Sequence, residues 1–201
     1  MYKAFGKRLI DLIISIICLP FFGLLFIIFA PIIKLTDKGP VFYVADRLGK
    51  KGRIYKMYKF RSMSVNSPDI RNKDGSTYNS DKDPRVTKIG RIMRKTSIDE
   101  IPQIINVIKG DMSIIGPRPF VTTHYLGYDK LDEKGKKRLE VRPGITGYSQ
   151  AYYRNSINQS EKIDCDVFYV DNYSLFLDIK IFIKTISAVI RQKNIYVDGG
   201  K

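Results

Sequence analysis

The feature that most constrains the fold of this chain is an uncharged apolar run of 22 residues near its N-terminus, LIISIICLPFFGLLFIIFAPII, at residues 12–33. As a straight helix, such a run is long enough to cross a hydrocarbon core of about 30 Å. Pro20 lies near its middle, where a proline removes a helix hydrogen bond and favours a kink. The run therefore predicts either a single membrane-spanning helix or a re-entrant helix that bends at Pro20 and returns to the face it entered.

Basic residues flank the apolar run on both sides. Lys3, Lys7 and Arg8 precede it, and Lys34 and Lys38 follow it. The positive-inside rule favours basic flanks in the cytoplasm, and both flanks satisfy it only if the helix re-enters. A kinked spanning helix also tolerates proline when neighbouring groups satisfy the freed carbonyl, so both alternatives stay open.

The whole chain is strongly basic, with 35 Lys and Arg residues against 20 Asp and Glu residues and a net charge of +15. Such an excess predicts an anionic partner, which is nucleic acid, an anionic lipid surface or a phosphorylated substrate. Because there are only two cysteines, Cys18 and Cys165, and one histidine, neither a zinc site nor a disulfide framework is expected. Composition alone does not decide among the three kinds of partner.

Hydrophobic patterning predicts a mostly helical α+β fold with two domains, a membrane segment of residues 1–35 and a second domain of residues 36–201. Residues 41–63 hold two runs rich in Val, Phe and Tyr around LGKKGR, which predicts a β-hairpin. Residues 64–84 are polar and predict a loop that is either mobile or a lid over a site. The stretch SLFLDIKIFIKTISAVIRQK, residues 174–193, predicts an amphipathic helix that packs either on the core or on the membrane surface.

Two adjacent carboxylates, Asp99 and Glu100, follow a densely basic stretch at residues 82–94. Cations recur there at every third position and would attract phosphate. One explanation of the acidic pair is helix capping, with Asp99 as the N-cap, Pro102 in the first turn, and Gly110 after the last turn. The basic positions are Lys82, Arg85, Lys88, Arg91 and Arg94.

The same acidic pair also suits phosphoryl transfer. A carboxylate at a helix entrance is ionised near neutral pH, so Asp99 is a nucleophile that needs no general base. An anionic phosphate would repel it, and a divalent cation, Glu100, the basic stretch and Arg118 in GPRP are candidates to remove that repulsion. From the residues alone, capping and catalysis both remain open.

Three motifs relate the chain to a known family. They are KFRSM at residues 59–63, DPRVTKIGRIMRKTSIDEIPQIINVIKGDMSIIGPRP at residues 83–119, and RPGITGYSQ at residues 142–150. This series resembles the bacterial sugar transferase family of monotopic phosphoglycosyl transferases, and the resemblance covers nearly the whole chain. It implies a monotopic membrane protein with amphipathic interfacial helices, whose apolar segment is a re-entrant helix broken at Pro20.

The resemblance implies transfer of a sugar 1-phosphate from a UDP-sugar to undecaprenyl phosphate, with Mg²⁺ as cofactor and release of UMP. Asp99 matches the family's nucleophile, on which a covalent phosphosugar intermediate is expected. Glu100 matches its partner in the catalytic pair and is expected to help hold the magnesium. Lys59, Arg85 and Arg118 fall in motifs expected to bind the substrate.

The family's reaction takes place at the cytoplasmic face of the bacterial inner membrane, which implies membrane phospholipids as further partners and no role for nucleic acid. The short length is similar to that of family members in bacterial N-linked glycosylation, which implies UDP-di-N-acetylbacillosamine as the donor. Two other functions compete. One is a nucleotide-sugar pyrophosphatase that passes the phosphosugar to water, and the other is a membrane-tethered binder of anionic ligands without catalytic activity.

Overall fold

The N-terminal part of the protein is a long helix, and its apolar run extends through most of that helix. The computed structural model describes residues 2–70, 78, 80, 82–122 and 127–191. A short π-helical segment, Tyr2–Gly6, leads into helix α1, Lys7–Asp37, which has 31 residues. In the described part of the chain, α1 is the one helix long and apolar enough to cross a membrane.

The helix α1 is continuous through Pro20, so the predicted interruption at this residue is not found. A proline inside a helix removes one hydrogen bond and crowds the preceding turn, whereas the turns on both sides keep their own bonds. The helix also extends past the predicted boundary at residue 35 and ends at Asp37, where Lys38 adopts a left-handed conformation.

Eleven further helices and strands build the body of the protein, together with short 3₁₀ turns. In chain order they are β1 Phe42–Leu48, β2 Ile54–Phe60, α2 Lys88–Thr96, α3 Gln103–Lys109, β3 Ser113–Ile115, β4 Phe120–Val121, α4 Glu133–Arg138, β5 Gly144–Thr146, α5 Tyr148–Tyr152, α6 Gln159–Asn172 and α7 Leu175–Ile190. The predicted mostly helical α+β fold is confirmed. The loop predicted at residues 64–84 lies partly outside the described residues.

The predicted β-hairpin is confirmed, and it forms the centre of a small antiparallel sheet. Strands β1 and β2 pair over their whole length, from Phe42 opposite Phe60 to Leu48 opposite Ile54. Strand β4 adds to the other edge of β1, with Phe120 opposite Leu48. Because β4 directly follows the GPRP motif, this pairing places the motif beside the hairpin.

One face of α1 packs along the body of the protein, and the opposite face is exposed. The positions turned toward the body recur every three or four residues, as expected for one helix face. They are Asp11, Ser15, Cys18, Phe22, Leu25, Phe29 and Ile33. The exposed face is almost entirely apolar, and an apolar surface of that extent marks a membrane or protein contact.

Polar contacts tie the beginning of α1 to the body. The Asp11 carboxylate accepts hydrogen bonds from Ser113 Oγ at 2.7 Å and from the Ile114 N–H at 3.1 Å, both in β3. One turn earlier, the Arg8 guanidinium donates to the carbonyls of Val107 and Ile108 at the end of α3. Cations at a helix C-terminus satisfy its last carbonyls and interact favourably with its dipole.

A second set of contacts ties the end of α1 to the same body. Arg61, directly after β2, places Nη1 2.5 Å from Oδ2 of Asp37 and donates from Nη2 to the Ile33 carbonyl at 3.2 Å. The Asp37 carboxylate also accepts from the Val65 N–H. The start and the end of α1 therefore both contact the same body of the protein.

The predicted amphipathic helix near the C-terminus is confirmed as α7. Asp178 and Ile181 are its buried side chains, and Ile181 packs in a core with Ile115 of β3 and Tyr169 of α6. Most of its apolar residues do not enter that core. Those exposed are Leu175, Phe176, Ile179, Phe182, Ile183, Ile186 and Ile190. This exposure favours the membrane-surface alternative over the core-packing alternative for α7.

Candidate active site

The acidic pair lies in a sharp turn between two helices. Helix α2 ends at Ser97, which adopts a left-handed conformation with φ 58°, and the 3₁₀ turn Ile98–Glu100 follows. Helix α3 begins only after Pro102, which occupies the N-cap position without a side-chain capping bond. The prediction that Asp99 is the N-cap is therefore wrong, because Asp99 lies inside the 3₁₀ turn and the N-cap of α3 is Pro102, three residues later. The predicted end at Gly110 is confirmed.

Lys59 near the end of β2 contacts the second residue of the acidic pair. Its Nζ lies 2.5 Å from Oε1 of Glu100, and both side chains are mostly buried, at 17% and 25% exposure. Asp99 is 9% exposed. The hairpin and the turn, which are 41 residues apart in the chain, thus place a cation and two carboxylates together.

The surroundings shift the pKa values of the two carboxylates in opposite directions. Burial and the charge of Glu100 raise the pKa of Asp99 to about 6, although Lys59 and Arg94 act against this rise. Burial also disfavours the ionised form of Glu100, but Lys59 and Arg118 outweigh it and lower the pKa of that carboxyl. At pH 7, Glu100 is ionised and Asp99 is mostly ionised. The Asp99 carboxylate therefore has an electron pair available for nucleophilic attack, and its burial removes it from water.

Helix α2 brings a further cation, Arg94, to the carboxylates. Its Nε donates to Ser62 Oγ at 3.0 Å, just beyond the end of β2. The close approach depends on Gly90, where a Cβ atom would lie 1.9 Å from the Ser62 carbonyl oxygen. The N-cap Thr87 accepts from the Gly90 N–H at 3.0 Å and fixes the first turn of α2.

The basic stretch at residues 82–94 does not form one continuous ridge. Lys88 is exposed, Arg85 is buried, and Arg94 is turned toward the acidic pair. The helix starts only at Lys88, so the three-residue spacing before that point does not correspond to one helix face.

Arg85, predicted to bind substrate, is already engaged by protein groups. Its Nε and Nη2 lie 2.9 Å and 2.7 Å from the two carboxylate oxygens of the buried Asp83. The guanidinium also donates to the main-chain carbonyls of Pro68 and Tyr78. In this arrangement Arg85 organises the loop that borders the site.

Arg118 and Arg154 complete the cationic surroundings. Arg118, in GPRP, is exposed, and its charge lowers the pKa of Glu100. Arg154 follows α5 in a left-handed conformation with φ 52°; burial lowers the pKa of its guanidinium, and the charge of Glu100 acts against this. Sequence reasoning missed Arg154, which has no motif of its own, and singled out Arg94 only as one of five basic positions.

An open cavity of about 1730 Å³ contains the acidic pair. The five predicted residues outside the apolar helix, Lys59, Arg85, Asp99, Glu100 and Arg118, all line it. One part of its wall is apolar and comes from α7, with Phe182, Ile186, Val189 and Ile190. The cavity therefore joins a charged centre to an apolar surface, which suits a substrate that carries both phosphate and a hydrocarbon chain.

The acidic pair fits a magnesium ion that arrives with a phosphorylated substrate. Among the described residues, no cluster of three or more His, Cys, Asp or Glu side chains exists that would enclose a metal. Mg²⁺ is commonly held by one or two carboxylates together with substrate phosphates and water. Glu100 accepts from Lys59 through Oε1, and Asp99 is adjacent in the chain, so the site offers two carboxylates of the kind that Mg²⁺ binds.

Comparison with known proteins gives consistent results over almost the whole chain. A family model described as bacterial sugar transferase matches residues 2–192. The chain is 40% identical over 190 residues to a UDP-N-acetylgalactosamine-undecaprenyl-phosphate N-acetylgalactosaminephosphotransferase of Aeromonas hydrophila, a match that covers 93% of this chain and 44% of that protein. It is 42% identical over 194 residues to the galactosyl transferase CpsE of Streptococcus agalactiae, covering 92% and 42%.

A third relative is similar in length to this chain. The uncharacterized sugar transferase EpsL of Bacillus subtilis is 40% identical over 189 residues, which cover 94% of this chain and 89% of EpsL. The chain thus spans less than half the length of the first two relatives and most of the third.

Proposed function

We propose that this chain, which belongs to the bacterial sugar transferase family, transfers a sugar 1-phosphate from a UDP-sugar to undecaprenyl phosphate and releases UMP. The family resemblance found in the sequence motifs is confirmed by the match over residues 2–192. The proposal depends on the position of Asp99. This buried carboxylate is not a helix cap, and it lies beside Glu100 and Lys59 in the cavity.

In the first step, a carboxylate oxygen of Asp99 attacks the phosphorus that bears the sugar. A bond from Asp99 oxygen to phosphorus forms, the phosphoanhydride bond to UMP breaks, and its electron pair leaves on UMP. The raised pKa of Asp99 supports this role, because a desolvated carboxylate is more nucleophilic than a hydrated one. Lys59, Arg94 and Arg118 offset the repulsion between the carboxylate and the anionic donor.

In the second step, a phosphate oxygen of undecaprenyl phosphate attacks the same phosphorus. A new phosphoanhydride bond forms, and Asp99 leaves with its electron pair as a free carboxylate. The two half-reactions share one set of cations, so the donor and the acceptor occupy the site in turn and the kinetics are ping-pong.

Glu100, with Asp99 beside it, would hold the magnesium ion. When bound, such an ion neutralises phosphate charge and stabilises the negative charge that develops on the leaving group. Lys59 keeps Glu100 ionised and oriented, since the two groups are 2.5 Å apart. The chain's own contribution is therefore an ionised, positioned carboxylate next to the nucleophile.

The structure supports a position on one face of the membrane. Both ends of α1 contact the same body, Arg8 and Asp11 near its start and Asp37 at its end. A straight helix spanning the bilayer would place one end far from that body, so we propose that α1 re-enters the cytoplasmic face of the inner membrane and that Pro20 bends the helix without interrupting it. The exposed apolar residues of α7 would contact phospholipids at the same face.

The identity of the sugar is a separate proposal. The resemblance to small N-glycosylation enzymes implies UDP-di-N-acetylbacillosamine, whereas the relatives above are named for N-acetylgalactosamine and galactosyl transfer. We keep UDP-di-N-acetylbacillosamine, and a role in N-glycan assembly, as the proposal to be tested against those other donors.

The test is an assay of the purified protein with a panel of UDP-sugars, Mg²⁺ and undecaprenyl phosphate. UMP release that depends on the lipid supports transfer. UMP release at full rate without the lipid indicates a nucleotide-sugar pyrophosphatase, and no turnover with any donor indicates a binding protein. A donor other than UDP-di-N-acetylbacillosamine in the productive reaction would overturn the sugar assignment alone.

The covalent step has its own test. Wild type and Asp99→Asn are incubated with the productive UDP-sugar and Mg²⁺ without lipid, and their intact masses are measured. We expect one sugar phosphate on the wild type and none on the variant. Since Asp99 is not an N-cap in this structure, loss of activity in Asp99→Asn is not explained by loss of a cap. Near-normal turnover of the variant would contradict the nucleophile assignment.

A further inference from the structure

The strongest unexplained feature outside the acidic pair is a buried ion pair between α4 and α6. Arg138 is 4% exposed and Asp166 is 1% exposed. The Nη2 atom of Arg138 lies 2.5 Å from Oδ2 of Asp166. Burying two charges costs several kcal/mol of desolvation per ion, and apolar replacements of such pairs are often neutral or stabilising. A contribution to stability is therefore a weak explanation of the pair.

The details of the contact also differ from those expected for a purely stabilising pair. Two nitrogens of Arg138, Nε and Nη1, are buried without a hydrogen-bond partner among the described residues. The Nη2 atom instead donates at 3.0 Å to the main-chain carbonyl of Arg118. The guanidinium carbon lies 3.8 Å from the centroid of the Phe120 ring. Arg138 thus contacts the chain on both sides of Pro119.

Asp166 is the second member of the pair and also lies near Arg118. Burial raises the pKa of the Asp166 carboxyl, and Arg138, Ser149 and the main-chain N–H of Arg118 act against this rise. Pro117 and Pro119, which flank Arg118, have no N–H groups. The Pro117 carbonyl accepts from the Gly144 N–H at 2.9 Å, so the contact of Arg138 with the Arg118 carbonyl adds to a loop that β5 already holds on one side. Asp166 also neutralises Arg138, which would otherwise repel the nearby Arg118. Ser149 of α5 donates to Asp166 Oδ1 at 3.3 Å and orients it.

We infer that the Arg138–Asp166 pair is a positioning device that holds the Pro117–Arg118–Pro119 main chain so that the Arg118 guanidinium faces the phosphates of the nucleotide-sugar. This inference rests on the proposed function, because it takes Arg118 as a ligand of the donor. The helices α4 and α6 are thereby part of donor binding, and Arg138 and Asp166 line the same cavity as the acidic pair. The pair acts through Arg118 and is not itself catalytic.

The test uses a paired apolar replacement, Arg138→Met with Asp166→Leu, which leaves no unpaired buried charge. Asp166→Asn alone, which keeps the shape of the side chain, is the second variant. The thermal midpoint and the elution volume in detergent show whether each variant folds. The measured quantities are kcat/KM for the UDP-sugar and, independently of turnover, the Kd for UDP by calorimetry.

We expect the paired replacement to lower kcat/KM roughly ten- to hundred-fold, since displacing a positioning contact by about 1 Å can cost that much. The Kd for UDP should rise in parallel. In an Arg118→Ala background the same replacement should change both quantities less than about twofold. The matched control is Lys137→Met with Asp171→Asn, an exposed ion pair at 3.0 Å between the same two helices, and it should change neither quantity.

Equal losses with and without the Arg118 side chain would overturn the inference, because the pair would then act by stabilising the fold in general. Unchanged UDP affinity in a folded paired variant would overturn it as well. If Arg118→Ala alone binds UDP as tightly as the wild type, both the inference and the phosphate role of Arg118 are wrong. If the wild type turns over UDP-sugar to UMP at full rate without lipid, the transfer function is wrong, but the UDP measurements still decide this inference.

Discussion

The Nζ atom of Lys59 lies 2.5 Å from Oε1 of Glu100 and joins the end of the β-hairpin to the turn that carries Asp99. This contact gives the hairpin a direct part in the site. Lys59 lowers the pKa of Glu100 and acts against the rise in the pKa of Asp99. Lys59 therefore favours the ionised form of both carboxylates although both are mostly buried.

Replacing Lys59 by methionine should lower the rate of UMP release about a hundred-fold or more. The loss is expected because a preorganised cation next to developing negative charge contributes a large share of the barrier reduction. It also leaves the charge of two mostly buried carboxylates to be compensated by Arg94, Arg118 and Arg154. UMP release at saturating UDP-sugar and lipid is the measurement.

Lys56→Met is the matched control for this change. Lys56 lies on the same strand, and its ion pair with Asp46 is exposed, with side-chain exposures of 62% and 44%. Exposed pairs contribute little, so turnover and thermal stability should stay close to wild type. Equal losses in Lys56→Met and Lys59→Met would show that general effects on the strand, and not the contact with Glu100, explain the loss.

Asp99→Asn should make the magnesium-free protein more stable above pH 6 while it removes transfer activity. The pKa of Asp99 is raised from 3.8 to about 6 in the folded protein, so the folded state binds this proton more tightly than the unfolded state. The resulting stabilisation of wild type is fully present below pH 3.8 and is lost as the pH rises through 6. Above that range the variant should be more stable by on the order of 1–3 kcal/mol.

Urea unfolding of both proteins in chelator, from pH 4.5 to pH 8, measures this difference. The advantage of the variant should shrink steadily as the pH falls. A difference in unfolding free energy that does not change with pH would show that Asp99 titrates in the folded protein as it does in the unfolded chain.

Arg118→Ala should lower kcat/KM for the UDP-sugar roughly ten- to hundred-fold without a large change in thermal midpoint, since hydrogen bonds to charged groups contribute about 1.5–3 kcal/mol. Arg118 is exposed in the cavity, so little packing is lost with its side chain. Arg53→Ala, an exposed arginine in the hairpin turn, is the control. Wild-type turnover of Arg118→Ala at limiting UDP-sugar would exclude a phosphate contact.

Both ends of α1 should be inaccessible from the periplasm. Single cysteines at Lys3 and Thr36, in a background without Cys18 and Cys165, are treated in intact cells with an impermeant maleimide. Both positions are exposed, so each should be labelled after the cells are opened. Labelling of either one in intact cells would show that α1 spans the membrane.

Gly90→Ala should destabilise the protein by about 1–3 kcal/mol, the usual cost of overpacking, and should also lower activity. The added Cβ would lie 1.9 Å from the Ser62 carbonyl oxygen, so α2 must move away from β2 and take Arg94 with it. Gly23→Ala is the control, because no atom lies within 4 Å of a Cβ at that position. Equal thermal midpoints for the two variants would contradict the close approach of α2 to Ser62.

Local sequence patterns correctly predicted the helices, strands and helix ends that depend on residues adjacent in the chain. The hairpin followed from β-branched and aromatic runs around a turn, the long helix from its apolar composition, and the end of α3 from Gly110. The role of Asp99 in the local structure was predicted wrongly. The 3₁₀ turn Ile98–Glu100 contains Asp99 and delays the start of α3; it follows a left-handed Ser97, which has no signal in the sequence because serine rarely adopts that conformation.

The sequence by itself determined the family, the apolar helix and the hairpin, and it singled out the acidic pair as the candidate centre of the site, since each depends on composition or on residues adjacent in the chain. Only the tertiary structure decided which cations lie near the two carboxylates. Arg85 and Arg94 have the same charge and similar sequence surroundings, yet Asp83 engages Arg85 while Arg94 turns inward. That choice depends on contacts between residues far apart in the chain, such as Gly90 with Ser62, and no periodicity or motif encodes the distance between them.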